Sequence, residues 1–412
     1  MAAKRKPLPC PQSEARALPY GRHLIEADDV AAVVALLNET LTGDAPLTQG
    51  PRVPAFESAL AQKVGARFAV ACASGTAALH MALRALDVDE RHACIVPAIT
   101  FLSTATAVRL CGAEVIFADV DPDTGLMGPQ HLADALSRAD RPVKAALPVH
   151  LGGRPCDMAA LAQAAGDIAL IEDGCHALGT IGPHGRVGDG RYSAATVFSF
   201  HPVKTIACGE GGAVTLNDPV MAERLARLRN HGVTRDSALM TDPDLSLDAD
   251  GAPNPWSYEQ LELGFNYRMT EIEAALGLSQ LAKLDRFAER RRELSDLYDQ
   301  LLAPLAPHVR PVARGGAGES LHLYGVLIDF PALGLDRAAL MRGLAARGVG
   351  SQVHYIPVYR QPYFTARYGP QHLPGAEAYY AHALSLPLFA GIGEDDVRRV
   401  CAGLAAEMMR SG

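Results

Sequence analysis

The sequence lacks several features that would assign a protein to a class at once. Its eight cysteines include no C-x-x-C pair, and no His or Cys spacing suits zinc, so we expect reduced thiols and no bound metal. No apolar run approaches the ~20 residues that a membrane-spanning helix needs, and we expect no membrane partner. The net charge of -8 leaves no basic excess to neutralise phosphates, which argues against a nucleic-acid partner.

Two sequence signatures are also missing. The N-terminal residues are basic, but no apolar core follows them, so we expect no secretory signal and a cytoplasmic protein. No G-x-G-x-x-G follows the first predicted strand, which argues against a nicotinamide-dependent reductase. The length of 412 residues is enough for roughly two domains. We expect a loose arm over residues 1–18, a large domain over 19–285 and a small domain over 286–412.

Short apolar runs alternate with amphipathic stretches through most of the predicted large domain. Strands are predicted over Phe68–Cys72, Ala93–Val96, Glu114–Ala118, Lys144–Val149 and Ile168–Ile171, with a helix between each strand and the next. This alternation predicts an α/β fold with a mostly parallel sheet that helices cover on both faces. Ligands of such sheets bind beyond the carboxyl ends of the strands.

The connecting segments and the C-terminal part carry further expectations. Thr40–Pro54 reads as a turn-rich loop, and residues 235–257 form a long Asp-rich loop that is either a lid over a site or solvated surface. A long helix is predicted from Thr270, through Leu284 and onward to Leu301. The C-terminal part is predicted to be a smaller α/β unit with strands over Leu321–Phe330 and Ser351–Tyr355.

One lysine lies in an unusual local setting. Lys204 stands between two predicted strands, Ala195–Phe200 and Ala213–Leu216, and a cluster of glycines follows it. An amine is nucleophilic only when it is neutral, and burial favours the neutral form. Lys204 is therefore a candidate for covalent chemistry, with an ordinary solvated loop lysine as the alternative.

Two further features complete a recognisable set with this lysine. Asp173 ends a predicted strand, where its carboxylate could pair with a protonated ring nitrogen or simply cap a turn. Ser74–Thr76 links a strand to a helix, where it could hold a phosphate or simply cap the helix. Pyridoxal 5'-phosphate requires such a lysine, carboxylate and phosphate cradle. His176 could stack on its ring, and Ser199 could reach its phosphate.

Several stretches together resemble the DegT/DnrJ/EryC1/StrS family of nucleotide-sugar aminotransferases, from about Pro19 to Leu404. They are LTQGPRVPAFE, SGTAALHMAL, ITFLSTA, IEDGCHALG, VFSFHPVKTIACGEGGAVTLND, LRNHG, LGFNYRMTEIEAALGLSQL and SQVHYIPVY. The resemblance implies a type I pyridoxal-phosphate-dependent aminotransferase fold, with a large mostly parallel sheet domain and a smaller C-terminal α/β domain. It also implies a homodimer with shared active sites.

The resemblance implies a role for particular residues. Lys204 would be the catalytic residue that forms a Schiff base with the cofactor, and Asn266 would reach the cofactor phosphate in the partner subunit. The other cofactor-binding residues would be Ser74, Gly75, Thr76, Phe101, Asp173, His176 and Ser199. The sugar nucleotide would lie against Tyr20, Ala45, Pro46, Leu47, Thr48, Gln352, Val353, His354 and Tyr355.

Two small differences from the family bear on this expectation. Gly174-Cys175 stands where the family usually has two small residues such as Ala-Ala, and Ile99 and Leu102 vary around the ring-stacking segment, so both differences affect ring stacking. A branch of the family that replaces the lysine with histidine catalyses dehydration, and this chain keeps Lys204, so the resemblance favours transamination. Candidates for binding the anionic product are Arg229, His231, Arg235 and Arg268, with structural ion pairs as the alternative.

Within the family, GSQVHYIPVYRQPYF and FSFHPVK resemble the branch that serves pseudaminic acid synthesis. The reaction implied is transfer of an amino group from L-glutamate, which leaves 2-oxoglutarate, to the C4 keto carbon of a UDP-linked 4-keto-6-deoxy N-acetyl sugar. Its product is UDP-4-amino-4,6-dideoxy-N-acetyl-β-L-altrosamine. One alternative is an aminotransferase for another nucleotide-linked keto sugar, of the perosamine or 4-amino-arabinose type. A non-catalytic regulator on the same scaffold is the other.

Overall fold

The computed structural model describes residues 17–316 and 318–409, so most of the arm predicted over residues 1–18 lies outside the described residues. The helices are α1 (Ala27–Thr42), α2 (Arg52–Val64), α3 (Gly75–Ala85), α4 (Ser103–Leu110), α5 (Pro129–Ser137), α6 (Met158–Ala165), α7 (Pro219–Arg229), α8 (Pro243–Ser246), α9 (Glu271–Leu281), α10 (Leu284–Leu302), α11 (Arg337–Ala346), α12 (Pro362–Tyr368), α13 (Pro374–His382) and α14 (Glu394–Met409). The strands are β1 (Phe68–Cys72), β2 (Ala93–Pro97), β3 (Glu114–Ala118), β4 (Val143–Ala146), β5 (Ala169–Asp173), β6 (Ile181–Gly182), β7 (Gly185–Arg186), β8 (Ala195–Ser199), β9 (Gly212–Leu216), β10 (Val233–Thr234), β11 (Glu259–Gln260), β12 (Val309–Pro311), β13 (Tyr324–Ile328) and β14 (Ala383–Leu386).

A seven-stranded sheet in the order β1-β9-β8-β5-β4-β2-β3 forms the centre of the molecule. All neighbouring strands are parallel except the two pairs that β9 makes with β1 and β8. β2 and β9 are buried along their whole length, as expected where helices cover both faces of a sheet. The predicted α/β fold with a mostly parallel sheet is therefore confirmed.

The register of this sheet brings three strand ends to one edge. Gly212 at the start of β9 pairs with Cys72 on one side and with Ser199 on the other. Asp173, the last residue of β5, pairs with Val197 of β8. Whatever follows β1, β5 and β8 along the chain therefore meets at the same end of the sheet.

Polar side chains begin several of the helices. Ser74 Oγ accepts a hydrogen bond from Ala77 N at the start of α3, and Asp157 accepts one from Ala160 N at the start of α6. Thr270 and Glu273 bond reciprocally to each other's backbone amides at the start of α9. Among residues 17–316 and 318–409, no helix combines the length and the hydrophobicity that crossing a membrane would require.

The C-terminal part has its own antiparallel sheet, in the order β12-β13-β14. Val326 of β13 and Leu404 of α14 belong to one apolar cluster, which also contains Leu18 from the N-terminal side. Helix α10 serves both parts of the molecule, because Phe287 packs beneath the large sheet and Tyr298 packs in the C-terminal cluster. The predicted domain limit after residue 285 stays a prediction.

Several predicted elements differ from the structure. Helix α1 continues to Thr42 and α2 begins at Arg52, so only the middle of the predicted Thr40–Pro54 loop is irregular. The single helix predicted from Thr270 is two helices, which separate after Leu281. The strand predicted over Ser351–Tyr355 is wrong: only Gln352 pairs there, in an isolated bridge with Ser385, because the segment forms a cavity wall instead.

Candidate active site

A cavity of about 470 Å³ opens at the edge where β1, β5 and β8 end. The segment that follows residue 351 closes its other side, and the volume is typical of a small-molecule site. Thirteen of the residues singled out from the sequence line this cavity, and the structure therefore brings together chain segments that are far apart in sequence: Tyr20, Ser74, Gly75, Thr76, Phe101, Asp173, His176, Ser199, Lys204, Gln352, Val353, His354 and Tyr355.

The remaining predicted site residues do not line the cavity. The Ala45–Thr48 loop is attached to α9, where Glu271 N donates to Leu47 O and Ala45 packs against Ala275. Asn266 is exposed and forms an isolated backbone bridge with Asn230. The structure of this chain therefore leaves both groups outside the wall that the other predicted residues share.

Lys204 lies on the hairpin connection between β8 and β9. Its backbone amide donates to His201 O, and a bond from Phe200 N to Gly211 O closes the loop. Burial lowers the pKa of the Lys204 amine from its ordinary value, although Cys175 and Asp173 act in the opposite direction. Because a larger share of the amine is then neutral, Lys204 can act as a nucleophile or as a base.

The start of β9 lies against the start of helix α3. A Cβ atom on Gly212 would stand 2.3 Å from the carbonyl oxygen of Ser74, which is closer than non-bonded atoms approach. The same atom would stand 2.6 Å from the amide nitrogen of Gly75. Only a residue without a side chain lets the loop that carries Lys204 lie this close to the beginning of α3.

Asp173 holds a buried carboxylate at the end of β5. It is 5% exposed, its Oδ2 accepts from Thr104 Oγ1 at 2.8 Å, and its Oδ1 accepts from the amide of Cys175 at 3.1 Å. No salt bridge to Asp173 occurs within the described residues. A buried carboxylate of fixed direction and without a cationic partner suits a ligand that brings its own positive charge.

Helix α3 presents its N-terminus and a group of hydroxyls to the cavity. Ser74 and Ser199 line it, and the hydroxyls of Thr76 and Ser103 lie 2.8 Å apart within it. A Cβ atom on Gly75 would stand 2.9 Å from the Cβ of Ser199, so glycine lets the helix start approach β8 closely. Free amides, the positive end of the helix dipole and hydroxyls together form a site for an anion such as phosphate.

These groups fit pyridoxal 5'-phosphate. Its phosphate matches the start of α3, its protonated ring nitrogen matches the unpaired carboxylate of Asp173, and its aldehyde matches the amine of Lys204. The fit depends on chain segments around positions 74, 173 and 204, which the sheet register brings to one edge.

Neutral rings line the cavity on both sides, with His176 just after β5 and with His322, His354 and Tyr355 in the C-terminal part. Burial lowers the pKa of His176 and His322 well below the ordinary value, and lowers the pKa of His354 to about 3. Burial also raises the pKa of Tyr355 well above its usual range. At neutral pH these side chains offer hydrogen bonds without charge.

Sequence reasoning missed several cavity residues, and two of them, Thr104 and His322, contact a predicted site residue directly. Thr104 binds Asp173 directly, and it could have been found as a polar residue in the first turn of the helix that follows β2. His322 lines the cavity with its ring centroid 4.5 Å from that of His176. It lies just before β13, far along the chain from the other site residues, and no local pattern points to it.

The four cationic candidates do not line the cavity. Arg229 forms a salt bridge with Glu57, and Arg268 donates to Asn230. The guanidinium of Arg235 lies over the ring of Tyr258, and His231 adopts a positive φ of 62° beside Gly232. The predicted lid over residues 235–257 contains α8 and contributes no residue to the cavity wall.

Comparison with known proteins agrees with this geometry. The model of the DegT/DnrJ/EryC1/StrS aminotransferase family matches residues 27–405. PseC of Helicobacter pylori, an aminotransferase of pseudoaminic acid biosynthesis, is 27% identical with a TM-score of 0.84, and the match covers 96% of this chain and 100% of PseC.

Two further solved structures are similar. The pyridoxal-phosphate form of Spr1654 from Streptococcus pneumoniae, a putative sugar aminotransferase, is 25% identical with a TM-score of 0.83, covering 96% of this chain and 100% of the other. DesI, solved in the presence of its TDP-sugar product, is 32% identical with a TM-score of 0.81, covering 97% and 95%. The chain belongs to the DegT/DnrJ/EryC1/StrS aminotransferase family and is a pyridoxal-phosphate-dependent nucleotide-sugar aminotransferase.

Proposed function

We propose that this enzyme transfers the amino group of L-glutamate to the C4 keto carbon of a UDP-linked 4-keto-6-deoxy N-acetyl sugar. The product would be UDP-4-amino-4,6-dideoxy-N-acetyl-β-L-altrosamine, a precursor of pseudaminic acid. The observation that carries the choice of sugar is the similarity to PseC over nearly the whole of both chains. The segment over residues 350–364 suggested this branch from the sequence, and the proposal is supported by the position of part of it, residues 352–356, 358 and 361, in the cavity wall beside Lys204.

The residues around the cavity have separate roles in this proposal. Bound pyridoxal phosphate supplies an electron-accepting ring that stabilises negative charge at the carbon losing or gaining the amino group. The neutral amine of Lys204 moves the proton at that carbon, as general base in one half-reaction and general acid in the other. The carboxylate of Asp173 keeps the cofactor's ring nitrogen protonated, and its two hydrogen bonds hold it in place.

The other predicted contacts complete the site. Ser74, Gly75, Thr76 and Ser199 hold the cofactor phosphate, while Phe101 or His176 lies against the ring. Tyr20, Gln352, Val353, His354 and Tyr355 would receive the sugar nucleotide. The loop Ala45, Pro46, Leu47 and Thr48 would contact it as well, although the loop does not line the cavity of this chain. Asn266, which is exposed, reaches the cofactor phosphate in the partner subunit.

We further propose that the enzyme is a homodimer and that it is located in the cytoplasm. A stripe of exposed apolar side chains runs along α1 at Val30, Val34, Leu37 and Leu41, and such a stripe suits burial against another chain. Among the described residues, no arginine lines the cavity. In this proposal the partner subunit would supply the cationic groups that bind the sugar diphosphate.

A spectrum and a panel of sugars test the proposal. The purified protein, loaded with pyridoxal phosphate, should show a visible absorbance band that L-glutamate removes, and Lys204→Ala should show no such response. The glutamate-treated enzyme should then aminate the UDP-linked 4-keto N-acetyl sugar in preference to GDP- and TDP-linked keto sugars. Turnover of only a GDP- or TDP-linked sugar would overturn the substrate while leaving the aminotransferase assignment intact.

A second substrate class has one observation in its favour. DesI, with its TDP-sugar product, is 32% identical to this chain, which is higher than the 27% identity of PseC. The TM-scores favour PseC, at 0.84 against 0.81. The sugar panel decides between the two substrate classes, because one carries UDP and the other carries TDP.

A further inference from the structure

A hydrogen-bond chain runs from the backbone of Gly152 through His176 to the hydroxyl of Tyr355. Gly152 N donates to His176 Nδ1 at 3.2 Å, and His176 Nε2 lies 3.1 Å from Tyr355 Oη. A peptide amide can only donate, so Nδ1 must be the acceptor and carries no proton. A histidine ring without a proton on Nδ1 is neutral and carries its single proton on Nε2, so Nε2 donates to Tyr355.

The direction of this chain leaves the proton of Tyr355 unused. The hydroxyl oxygen accepts from His176, and the described chain provides no other hydrogen-bond partner for it. Tyr355 and His176 both line the cavity, and the two rings are stacked with their centroids 6.0 Å apart. The hydroxyl proton is therefore free to be donated to a ligand in the cavity.

The backbone amide at the start of the chain is itself fixed. Gly152 has a φ of 70°, which a glycine adopts without strain, and its carbonyl accepts from His322 N at 2.9 Å. The ring of His322 lies against that of His176, at 4.5 Å between centroids. Neither the amide nor the imidazole can rotate to reverse the chain without losing these contacts.

We propose that His176 is a positioning residue that makes Tyr355 an obligate hydrogen-bond donor to an oxygen of the bound sugar. This inference rests on the proposed function, because it takes a keto sugar as the ligand. In the opposite tautomer, Tyr355 would donate to His176 and could only accept from the substrate. The chain therefore selects a carbonyl or hydroxyl oxygen at that place in the cavity and disfavours an amine that needs an acceptor.

The tautomer can be measured without any substrate. The side-chain nitrogen resonances of ¹⁵N-histidine-labelled apoprotein distinguish a ring protonated at Nε2 from one protonated at Nδ1, and His176→Gln identifies the signal by its loss. We expect the neutral form with the proton on Nε2 at neutral pH, and a change of the Nε2 signal in Tyr355→Phe. A proton on Nδ1, or a doubly protonated ring, would overturn the inference.

Kinetics on the loaded enzyme test the consequence for the sugar. Tyr355→Phe should raise the KM for the keto sugar by about threefold to tenfold, as expected for one lost neutral hydrogen bond. His176→Asn, whose short amide does not reach Tyr355, should have a similar effect, and His176→Gln should recover part of it. Tyr363→Phe, an exposed tyrosine outside the cavity, is the matched control.

The combination of variants separates this inference from the proposed function. Adding His176→Asn to Tyr355→Phe should raise the KM for the keto sugar by less than about twofold further, because Tyr355→Phe has already removed the hydroxyl at the end of the hydrogen-bond chain. Fully additive effects would contradict a chain through Tyr355. If no keto sugar in the panel is turned over, the proposed function fails, whereas the tautomer measured in the apoprotein stands or falls independently.

Discussion

The two walls of the cavity are built in different ways. On the side of the large sheet, Asp173 and Ser199 end strands whose pairing fixes their positions. On the other side, His354 and Tyr355 lie in a segment whose one strand-like backbone pairing, within the described residues, is the bridge between Gln352 and Ser385. The sheet wall carries the charged or chargeable groups, whereas the C-terminal wall offers neutral rings.

This difference indicates a division of labour. Proton transfer and charge stabilisation lose their effect when the groups move by a fraction of an ångström, so they belong on paired strands. Recognition of a sugar by neutral hydrogen bonds depends on many small contributions, each of which tolerates more displacement. We therefore expect changes in the sheet wall to stop the reaction, and changes in the C-terminal wall to alter sugar affinity.

Among the residues of the sheet wall, Lys204 should give the largest effect on the reaction. Lys204→Ala removes both the covalent attachment and the general base, so we expect turnover to fall by at least about 10³-fold. Steady-state amination measured on cofactor-loaded protein checks this. Lys63→Ala, in the exposed pair with Asp285, is the control and should keep its rate. Appreciable turnover by Lys204→Ala would place the base elsewhere.

Asp173 should show the next largest effect. Asp173→Asn preserves the shape of the side chain but removes its charge, and we expect both half-reactions to slow by about 10²- to 10³-fold. Stopped-flow absorbance of the cofactor measures each half-reaction. Glu172→Gln is the matched control, because Glu172 accepts from His150 and Thr196 away from the cavity wall. Equal slowing in both variants would deny Asp173 a special role.

Thr104 tests whether the fixed direction of Asp173 matters. Thr104→Val keeps the volume but removes the hydroxyl that donates to Oδ2 at 2.8 Å, and we expect a loss of about threefold to tenfold in kcat. Thr106→Val, in the same helix, is the control. An effect on the sugar KM alone would show that Thr104 acts on the substrate and not through Asp173.

The smallest effect is expected in the C-terminal wall. Ser385→Ala removes the hydroxyl 2.9 Å from Nδ1 of His354, and we expect the sugar KM to rise by no more than about threefold. The kcat of both half-reactions should stay unchanged. A larger loss in Ser385→Ala than in Thr104→Val would reverse the proposed division between the two walls.

The sheet wall could be predicted from the sequence to a large extent. Alternating strand and helix signals around Ser74, Asp173 and Lys204 predict a parallel sheet, and in such a sheet the strand ends meet at one edge. The structure brings these three residues to one cavity. Thr104 was missed because its contact with Asp173 joins the first turn of α4 to the end of β5, 69 positions apart, and a polar residue in the first turn of a helix does not by itself indicate such a contact.

The C-terminal wall could be predicted only through resemblance. Val353 and Tyr355 alternate with polar residues as in a strand, but the segment faces a cavity and pairs at one residue. His322 has no local signal, since its place depends on the hydrogen bonds that the amides of His322 and Leu323 donate to the carbonyl of Gly152. Positions 45–48 and 266 lie outside the cavity wall, and their predicted roles stay predictions.

The contact between Gly212 and the Ser74 carbonyl has a consequence for how this enzyme can change. A Cβ atom at position 212 would lie 2.3 Å from the carbonyl oxygen of Ser74, so even alanine is excluded there. In a randomised library selected for function, that codon would return glycine alone, whereas the codon for Ile356, an exposed residue of the C-terminal wall, would tolerate substitution. New sugar preferences can therefore arise by mutation of the C-terminal wall, while the contact between the start of β9 and the start of α3 remains unchanged.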